Sequence, residues 1–333
     1  MLSVVCPIYN EEKYIAKCID SILAQDYPKD DLEIIFVDGM STDRTRQIVE
    51  EYSQKYPFIR LIDNPDRIVP PAMNIGIKAS SGDIIIRLDA HAVFPMNYFS
   101  ELVLYLEKLN ADNVGGVCKT LPINDSVTCK SIAWVLSSKF GMGNSHFRVG
   151  ADEIREVDTV PFGCFRRTLF DEIGFFDEEL TRNQDDEFNG RIIKNGGKIY
   201  LLPHLVIEYY ARDTVRKVYN MFYQYGLYKP LVNKKLGSPA TVRQFFPLLF
   251  VLGLILGPLT FFLSNAFIWI YAIVLALYVG LSTFFSINEA RTLKEILMQN
   301  WVYFVVHFAY GWGYINGLIR VLFNIPFKVK SNR

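Results

Sequence analysis

Two side chains that can bind a metal ion follow an apolar, strand-like run of the sequence. The stretch GDIIIRLDAHAVFP covers residues 82–95 and places Asp89 and His91 two positions apart. In a β-strand, residues i and i+2 point to the same side, and open α/β folds bind ligands beyond the carboxyl ends of their strands. This spacing suits one divalent ion held by both side chains. An aspartate that caps the next turn, beside a surface histidine, is the structural alternative.

An acidic cluster later in the chain is the second candidate for chemistry. The stretch NQDDEF contains Asp185, Asp186 and Glu187. A carboxylate that lies among other acids and is partly withdrawn from water has a raised pKa, which suits a general base. The same residues also fit the acidic first turn of a helix, where they complement the helix dipole. The residue types alone leave both interpretations open.

Alternating strand and helix patterns in the first 90 residues must position these groups. Apolar runs predict four strands, and helical spacing of apolar residues predicts a helix after each of the first three. The predicted strands cover residues 2–7, 32–38, 59–63 and 83–89. The predicted helices cover 11–25, 42–56 with Thr42 as N-cap, and 71–81. Such alternation indicates a mostly parallel sheet.

Three of these strands end in polar residues, namely residues 9–11, Asp38, and the pair Asp89 and His91. Because parallel strands end at the same edge of a sheet, this arrangement predicts a ligand site there. No GxGxxG follows the first strand, and no GxxxxGK[ST] occurs in the sequence. These absences argue against a dinucleotide-binding Rossmann domain and against a P-loop.

The charge distribution separates an acidic body from an apolar tail. The net charge is zero, but residues 1–210 hold 22 basic and 32 acidic side chains, and residues 211–243 hold 7 and 1. Residues 244–288 contain no charged side chain, which is enough for two membrane helices of about 20 residues each. We expect spans at about 245–263 and 266–286. The basic segment before them places the N-terminal body in the cytoplasm.

A weaker third membrane segment is predicted at residues 301–323, where three polar residues interrupt the apolar run. A full crossing would leave Lys328, Lys330 and Arg333 outside the cell, against the charge rule. We therefore expect this segment to be tilted, re-entrant or interfacial. The five cysteines form no CxxC pair, which agrees with a reducing compartment.

Five ordered motifs within residues 1–230 resemble those of family 2 glycosyltransferases with the GT-A fold. They are VVCPIYNEEKYIAKCIDSILAQ, FVDGMSTDRT, MNIGIKASSGDIIIRLDAH, VPFGCFRRTLFDEIGFFDE and NQDDEFNGRI. The combination of RLDAHA, MNIGIKAS and an apolar tail is most similar to succinoglycan-type exopolysaccharide glycosyltransferases. The resemblance implies an α/β GT-A domain in 1–210, Rossmann-like with a mostly parallel sheet. Basic amphipathic interfacial helices would follow in 211–243 and a membrane domain with transmembrane helices in 244–333.

The resemblance also implies a nucleotide-sugar donor site. Pro7, Tyr9 and Glu11 would lie against the nucleotide, with Asp38 at the uracil or ribose edge. Arg166 would face the diphosphate, and Gln224 and Lys229 would meet the nucleotide diphosphate or a lipid phosphate. For these three, a solvent-facing arginine and a plain amphipathic membrane anchor over 221–230 remain the alternatives.

Asp89 and His91 stand where many family members have Asp-x-Asp, and the first of them also belongs to the donor site. They would hold Mn²⁺ or Mg²⁺ together with the donor diphosphate. A histidine in the last place makes the site softer than one made of oxygen ligands alone, which suits Mn²⁺ at least as well as Mg²⁺.

The acceptor side follows from the two later motifs. Asp185 takes the family's general-base position, although Gln184 replaces the usual glutamate before it. Glu187, Gly163 and Cys164 would contact the acceptor sugar, with a simple turn as the alternative for the Gly-Cys pair.

These features predict an inverting, metal-dependent hexosyltransferase at the inner (plasma) membrane, with its catalytic domain in the cytoplasm. The expected donor is a UDP-hexose and the expected acceptor a lipid-linked saccharide of exopolysaccharide assembly; nucleic acid is not an expected partner. One alternative is transfer to a polyprenyl phosphate, as in dolichol-phosphate-mannose synthesis. The other is a non-catalytic membrane scaffold with a degenerate transferase domain.

Overall fold

The computed structural model describes residues 1–239 and 241–327, which form two compact units. The first unit contains residues 1–119 and 150–209, and the second contains residues 120–149 and those from 210 onward. Residues 120–149 therefore belong to the second unit, although the sequence motifs place them within the body 1–210. Lys328, Lys330 and Arg333, on which the expectation for the third membrane segment depends, lie outside the described residues.

The first unit alternates strands and helices through its first half, as the apolar patterns predict. Its strands are β1 (Leu2–Ile8), β2 (Leu32–Asp38), β3 (Ile59–Asp63), β4 (Ile84–Arg87), β5 (Ala92–Val93), β6 (Asn113–Leu121), β7 (Arg155–Glu156), β8 (Cys164–Arg166) and β9 (Ile199–Tyr210). Its helices are α1 (Ile15–Leu23), α2 (Thr45–Lys55), α3 (Val69–Ala79), α4 (Tyr98–Lys108), α8 (Arg167–Ile173) and α9 (Gln184–Lys194), with a short 3₁₀ turn at Lys29–Asp31.

Within the described residues, the nine strands form one mixed sheet in the order β3-β2-β1-β4-β8-β6-β9-β5, with β7 beside β9. The first four neighbours, β3, β2, β1 and β4, are parallel. Strand β8 runs antiparallel to β4 and β6, and β5 and β7 run antiparallel to β9. The parallel arrangement predicted for the first 90 residues is confirmed, whereas these four further strand pairings are antiparallel.

The central strands are buried over their whole length. Every residue of β1 and of β2 is buried, because a parallel sheet is covered on both faces and its strands are mostly apolar. Helix α1 packs with the apolar residues that the helical spacing identified, including Ile15, Ile19 and Ile22. The predicted cap of α2 is wrong, since that helix begins at Thr45 and the Thr42 N–H donates instead to Asn10 Oδ1.

A buried carboxylate, that of Glu33, lies near the amino ends of β1 and β2. Glu33 accepts hydrogen bonds from the Ser3 hydroxyl (2.6 Å), the Ser81 N–H (2.5 Å) and hydroxyl (2.9 Å), and the Gly82 N–H (3.2 Å). Burial alone would raise the pKa of Glu33, but these hydrogen bonds stabilise its charged form and lower the pKa below its ordinary value. These hydrogen bonds of Glu33 with Ser3, Ser81 and Gly82, called the Glu33 clamp below, connect β1, β2 and the loop before β4.

The second unit is helical. Its helices are α5 (Val127–Val135), α6 (Lys139–Met142), α7 (His146–Val149), α10 (Val215–Leu236), α11 (Phe245–Leu256), α12 (Asn265–Ile287) and α13 (Leu293–Leu322), with 3₁₀ turns at Val242–Gln244 and Gly257–Phe262. Helix α13 packs along α10 and also contacts α11, α12 and α5.

Glycines set the close contact between α10 and α13. A side chain on Gly226 of α10, or on Gly313 or Gly317 of α13, would collide with backbone carbonyls of the facing helix. The aromatic stretch 221–230, expected to belong to an interfacial helix, is part of α10 and packs in this contact. Tyr228, for example, is fully buried.

Among the described residues, two helical stretches are long and apolar enough to cross a membrane, at Val242–Phe262 and Asn265–Ile287. They coincide with the two predicted spans, and most of their apolar surface is exposed. The third predicted segment belongs to the 30-residue helix α13 and does not meet the same criterion. One face of α13 is buried against α10.

Candidate active site

The carboxyl ends of β1, β2 and β4 meet at one edge of the sheet, because these strands are adjacent and parallel. Ile8 pairs with Asp38 at the ends of β1 and β2. The chain leaving β4 stays beside β1, since the Leu88 N–H donates to the Val5 carbonyl at 3.0 Å. Ligands of open α/β sheets bind beyond this kind of edge, so we take it as the candidate active site.

Two loops at this edge are joined by hydrogen bonds. The Asn10 N–H donates to Ser41 Oγ at 2.9 Å, and the Glu11 N–H donates to Thr45 Oγ1 at 2.6 Å. Asn10 and Met40 both adopt positive φ, at 54° and 61°, so each loop turns sharply after its strand. The loop after β1, which carries Tyr9 and Glu11, is therefore held in place by the loop after β2.

Asp38 lies at the centre of this junction and is fully buried. Its carboxylate accepts from the Ser41 N–H at 3.1 and 3.2 Å and from the Ser41 hydroxyl at 2.5 Å. Arg46 Nη1 donates to it at 3.2 Å and also to Asp63 at 2.6 Å. In this structure Asp38 thus orders the loop beside Tyr9, while Pro7 is a buried residue of β1 paired with Val37.

Asp89 and His91 follow β4, but the strand ends two residues earlier than predicted, at Arg87. The pair therefore lies in the turn after the strand, and the spacing argument from a continuous strand is wrong for it. His91 Nδ1 lies 3.5 Å from Glu11 Oε1, and the ring packs edge-on against Tyr209. Both contacts fix the orientation of the imidazole.

The described residues contain no group of three His, Cys, Asp or Glu side chains arranged to hold a metal ion. An ion that bridges a substrate's phosphates needs only one or two carboxylates, since phosphate oxygens and water complete its shell. Asp89 and His91 fit such a site. If Nε2 of His91 bound the ion, Glu11 beside Nδ1 would take the place of the carboxylate that often accompanies a metal-bound histidine.

Asp185 reaches the same edge from the first turn of α9. It forms an ion pair with Arg87 Nη1, and Arg87 Nη2 donates to Asp89 Oδ1 at 3.3 Å. Asn183, with φ of 61°, turns the chain sharply into the helix and places the acidic residues in its first turn. The structure thus links the two predicted acids through an arginine.

The electrostatics of this group favour a base. The Asp185 side chain is partly open to solvent, and desolvation of its covered part raises the pKa of its carboxyl. Arg87 acts against the rise, whereas the negative charges of Asp89 and Asp186 add to it. Burial disfavours the charge of Arg87, but the two carboxylates outweigh this effect and its pKa is raised.

Several predicted residues lie elsewhere. Arg166 pairs with Ile84 at the amino end of β4, so it stands at the opposite edge of the sheet. Its guanidinium donates to the carbonyls of Ala111 (2.9 Å) and Leu106 (3.2 Å). The prediction that it meets the diphosphate is corrected on this ground, because its side chain is committed to the end of α4.

The predicted acceptor residues are also packed inside the first unit. Cys164 is fully buried in β8, and burial raises the pKa of its thiol. A side chain on Gly163 would collide with Asn113 and Phe165, so this glycine is explained by packing. Glu187 is 4% exposed and forms a two-bond ion pair with Arg191 at 2.8 and 2.9 Å. The side chains of Cys164 and Glu187 are thus committed to packing and to Arg191, and backbone approach of an acceptor sugar at Gly163 and Cys164 stays a prediction.

Gln224 and Lys229 belong to the second unit, on α10, where they are 5% and 7% exposed. Their assignment to the nucleotide diphosphate or to a lipid phosphate remains a prediction.

Sequence reasoning missed Arg87. A charged residue inside the apolar run DIIIRLD was the available signal, because an arginine is rarely buried in a strand without a partner.

The mixed α/β sheet is that of a GT-A protein. Residues 3–173, just over half of the chain, match the profile of "Glycosyl transferase family 2". The chain belongs to glycosyltransferase family 2.

Two relatives and one solved structure illustrate this membership. The chain is 30% identical over 327 residues to the dolichyl N-acetyl-α-D-glucosaminyl phosphate 3-β-D-2,3-diacetamido-2,3-dideoxy-β-D-glucuronosyltransferase of Methanococcus voltae, covering 96% of this chain and 97% of that protein. It is 28% identical to the succinoglycan biosynthesis protein ExoA of Rhizobium meliloti over 74% of each chain. The mannosyltransferase PcManGT of Pyrobaculum calidifontis, solved with GDP-mannose and Mn²⁺, has a TM-score of 0.57 at 19% identity and covers 97% of this chain and 87% of its own. At this low sequence identity, the similarity to PcManGT shows a shared fold and nothing more.

Proposed function

We propose that this protein is a metal-dependent, inverting hexosyltransferase that transfers a hexose from a nucleotide-sugar to a lipid-linked saccharide. The observation that carries the proposal is the Arg87-linked pair of Asp89 and Asp185 at the carboxyl edge of the parallel strands. Asp89 lies on the loop expected to meet the donor, and Asp185 lies in the first turn of a helix expected to meet the acceptor. A transfer reaction needs both within one site.

The donor would lie over the loops after β1 and β2, with its nucleotide against Pro7, Tyr9 and Glu11. Asp38 supports this surface by ordering the Ser41 loop. Asp89 and His91 would hold Mn²⁺ or Mg²⁺, which neutralises charge on the diphosphate leaving group when it is bound. A UDP-hexose is the proposed donor.

Asp185 would act on the acceptor. Its carboxylate takes the proton of the attacking hydroxyl, and the hydroxyl oxygen forms a bond to the anomeric carbon on the face opposite the diphosphate. The bond between that carbon and the diphosphate oxygen breaks, and its electron pair leaves with the nucleotide. The raised pKa of Asp185 makes this proton transfer more favourable than it would be for an ordinary aspartate.

The acceptor is proposed from a relative. The Methanococcus voltae enzyme, by its name, adds a sugar to a saccharide already linked to dolichyl phosphate. This favours a lipid-linked saccharide over a bare polyprenyl phosphate as the acceptor here. The ion-paired acids at the sheet edge favour an enzyme over a non-catalytic scaffold, which would not need them.

The membrane provides such acceptors, and we propose that Val242–Phe262 and Asn265–Ile287 insert into it. The basic segment 211–243 places the catalytic unit on the cytoplasmic side of the inner (plasma) membrane. With two crossings, reporters fused before Met1 and after Arg333 should both lie in the cytoplasm. A reporter after Arg333 that reports an external position contradicts this topology.

The function is tested with the full chain purified in detergent. A panel of UDP-glucose, UDP-N-acetylglucosamine and GDP-mannose is screened by thermal shift with and without Mn²⁺, because a bound donor stabilises the folded state by mass action. The donor that shifts the melting temperature is then incubated with lipid extract, and release of the nucleotide is measured. The Asp89→Ala variant is the control and should show neither effect. Wild-type protein that binds no nucleotide-sugar and releases no nucleotide refutes the proposal.

A further inference from the structure

Arg87 is a buried arginine that joins residues assigned to different substrates. It is 6% exposed and lies between Asp89, on the donor side, and Asp185, on the acceptor side. Asp89 is two positions from Arg87 in the sequence, whereas Asp185 is 98 positions from it. Their common partner is a single planar guanidinium, whose separate N–H groups can bind one carboxylate each.

The backbone of Arg87 is a fixed reference point within the sheet. Its N–H donates to the Gly163 carbonyl at 3.0 Å, and it stands in register with Val5 of the central strand β1. Asp89 lies in the following turn, and Asp185 lies at the start of a helix from another part of the chain. A side chain that leaves a central strand and holds both groups therefore sets the distance between them.

The contacts of Arg87 differ from those of a structural arginine in the same unit. Arg167 uses its side chain to close a loop, donating to Gly82 O (2.6 Å), Ile77 O (3.1 Å) and Ser80 Oγ (2.6 Å). Within the described residues, the Arg87 guanidinium bonds only to the two carboxylates, and its buried Nε has no partner. Because a buried unpaired N–H is unfavourable, packing of the fold alone does not account for this arginine.

We propose that Arg87 is a positioning residue that fixes the base Asp185 relative to Asp89 and so relative to the bound donor. The proposal rests on the proposed transferase function. Its physical basis is that the acceptor oxygen must approach the anomeric carbon to about 3–3.5 Å, and a misplacement of about 1 Å can cost about 10²-fold in rate. Arg87 holds the two parts of the site to this tolerance.

The test compares three variants of the full chain: Arg87→Met, Arg87→Lys and, as a matched control, Arg167→Met. Donor binding is measured by calorimetry, kcat and the acceptor KM by nucleotide release, and folding by thermal unfolding. Arg87→Met should lower kcat by about 10²-fold with little change in donor affinity or acceptor KM. Arg87→Lys should recover part of kcat, because an ammonium group can pair with one carboxylate but lacks the fork that holds both. Arg167→Met should lower the melting temperature and leave kcat unchanged.

Three results overturn the positioning role. These are a wild-type kcat in Arg87→Met, a loss confined to donor affinity, and an equal loss of kcat in Arg167→Met. If Arg87→Met does not fold, Arg87→Lys decides, since a wild-type kcat in that charge-preserving variant also overturns the role. The proposed function fails in a different way, because wild-type protein would then turn over no nucleotide-sugar.

Discussion

Replacing Asp185 by asparagine tests the general base directly. The amide has nearly the same size as the carboxylate and retains an oxygen that can accept from Arg87 Nη1, so the helix start should stay in place. Asp89 keeps its own contact with Arg87 Nη2 at 3.3 Å. The substitution therefore removes a negative charge and a proton acceptor, with little change in the donor side of the site.

The expected loss follows from these contacts. Removal of a positioned base costs about 10²–10⁴ in rate, which corresponds to about 2.7–5.5 kcal/mol of transition-state stabilisation. Donor binding should be unchanged or slightly tighter, because a negative charge near the diphosphate is lost. The effect should thus be seen in kcat and not in the donor dissociation constant.

The pH dependence gives a second measurement on the wild-type protein. A general base works only when deprotonated, and desolvation raises the pKa of Asp185 above its ordinary value. Activity should therefore rise with pH, with a midpoint above the value of about 3.9 for an unperturbed aspartate. In Asp185→Asn the slow residual rate should lack this rise.

The matched control is Asp186→Asn, one position along the helix. Successive residues of an α-helix point about 100° apart, so the neighbouring carboxylate should not face the same atom, and this variant should be mild. Nucleotide release and calorimetric donor titration are measured for both. If Asp186→Asn is inactive and Asp185→Asn remains active, the base is Asp186 and the assignment is wrong by one residue.

Three further outcomes are expected. Asp89→Ala should abolish activity, while His91→Asp should retain it and shift the metal preference from Mn²⁺ toward Mg²⁺. Both are measured by metal titration of nucleotide release, and an unchanged metal dependence in both variants contradicts the assignment of Asp89 and His91 to the metal. Gly313→Val should destabilise the contact of α10 with α13 by about 1–3 kcal/mol, seen as a lower melting temperature, whereas Gly253→Ala, where an added Cβ meets nothing within 4 Å, should have no such effect. The lowered pKa of Glu33 contributes stability that is present above its unfolded-state pKa of about 4.3 and is lost as pH falls through the folded-state value. Glu33→Gln should therefore reduce the loss of melting temperature in acid. A dependence of melting temperature on pH that is unchanged in this variant would contradict the role of the Glu33 clamp.

Local patterns in the sequence identified the first half of the sheet well. Apolar runs and helical spacing depend on which side of an element is buried, and this is written in consecutive residues. The strands β1, β2 and β3 and the helices between them accordingly lie within a few residues of their predicted bounds. The 45 uncharged residues 244–288 likewise predicted two apolar helices, since length and composition suffice for that inference.

Side-chain partners were not predictable in the same way. Glu187 and Asp185 are two residues apart in one acidic motif, yet the first pairs with Arg191 on its own helix and the second with Arg87 from a distant strand. Which one faces the site depends on how α9 enters its first turn and where β4 ends. Arg166 illustrates the same limit, because antiparallel pairing of β8 with β4 carried it to the opposite edge of the sheet.

The sequence by itself determined the family, the parallel strands and the residue types that could bind a donor and abstract a proton. These depend on motifs and periodicities contained in short segments. Only the tertiary structure decided that Arg87 stands between Asp89 and Asp185, that Asp38 is enclosed by its own loop, and that the aromatic stretch 221–230 packs against α13. The physical reason is that each of these contacts joins segments far apart in the chain, and their direction and register are set by the packing of whole elements.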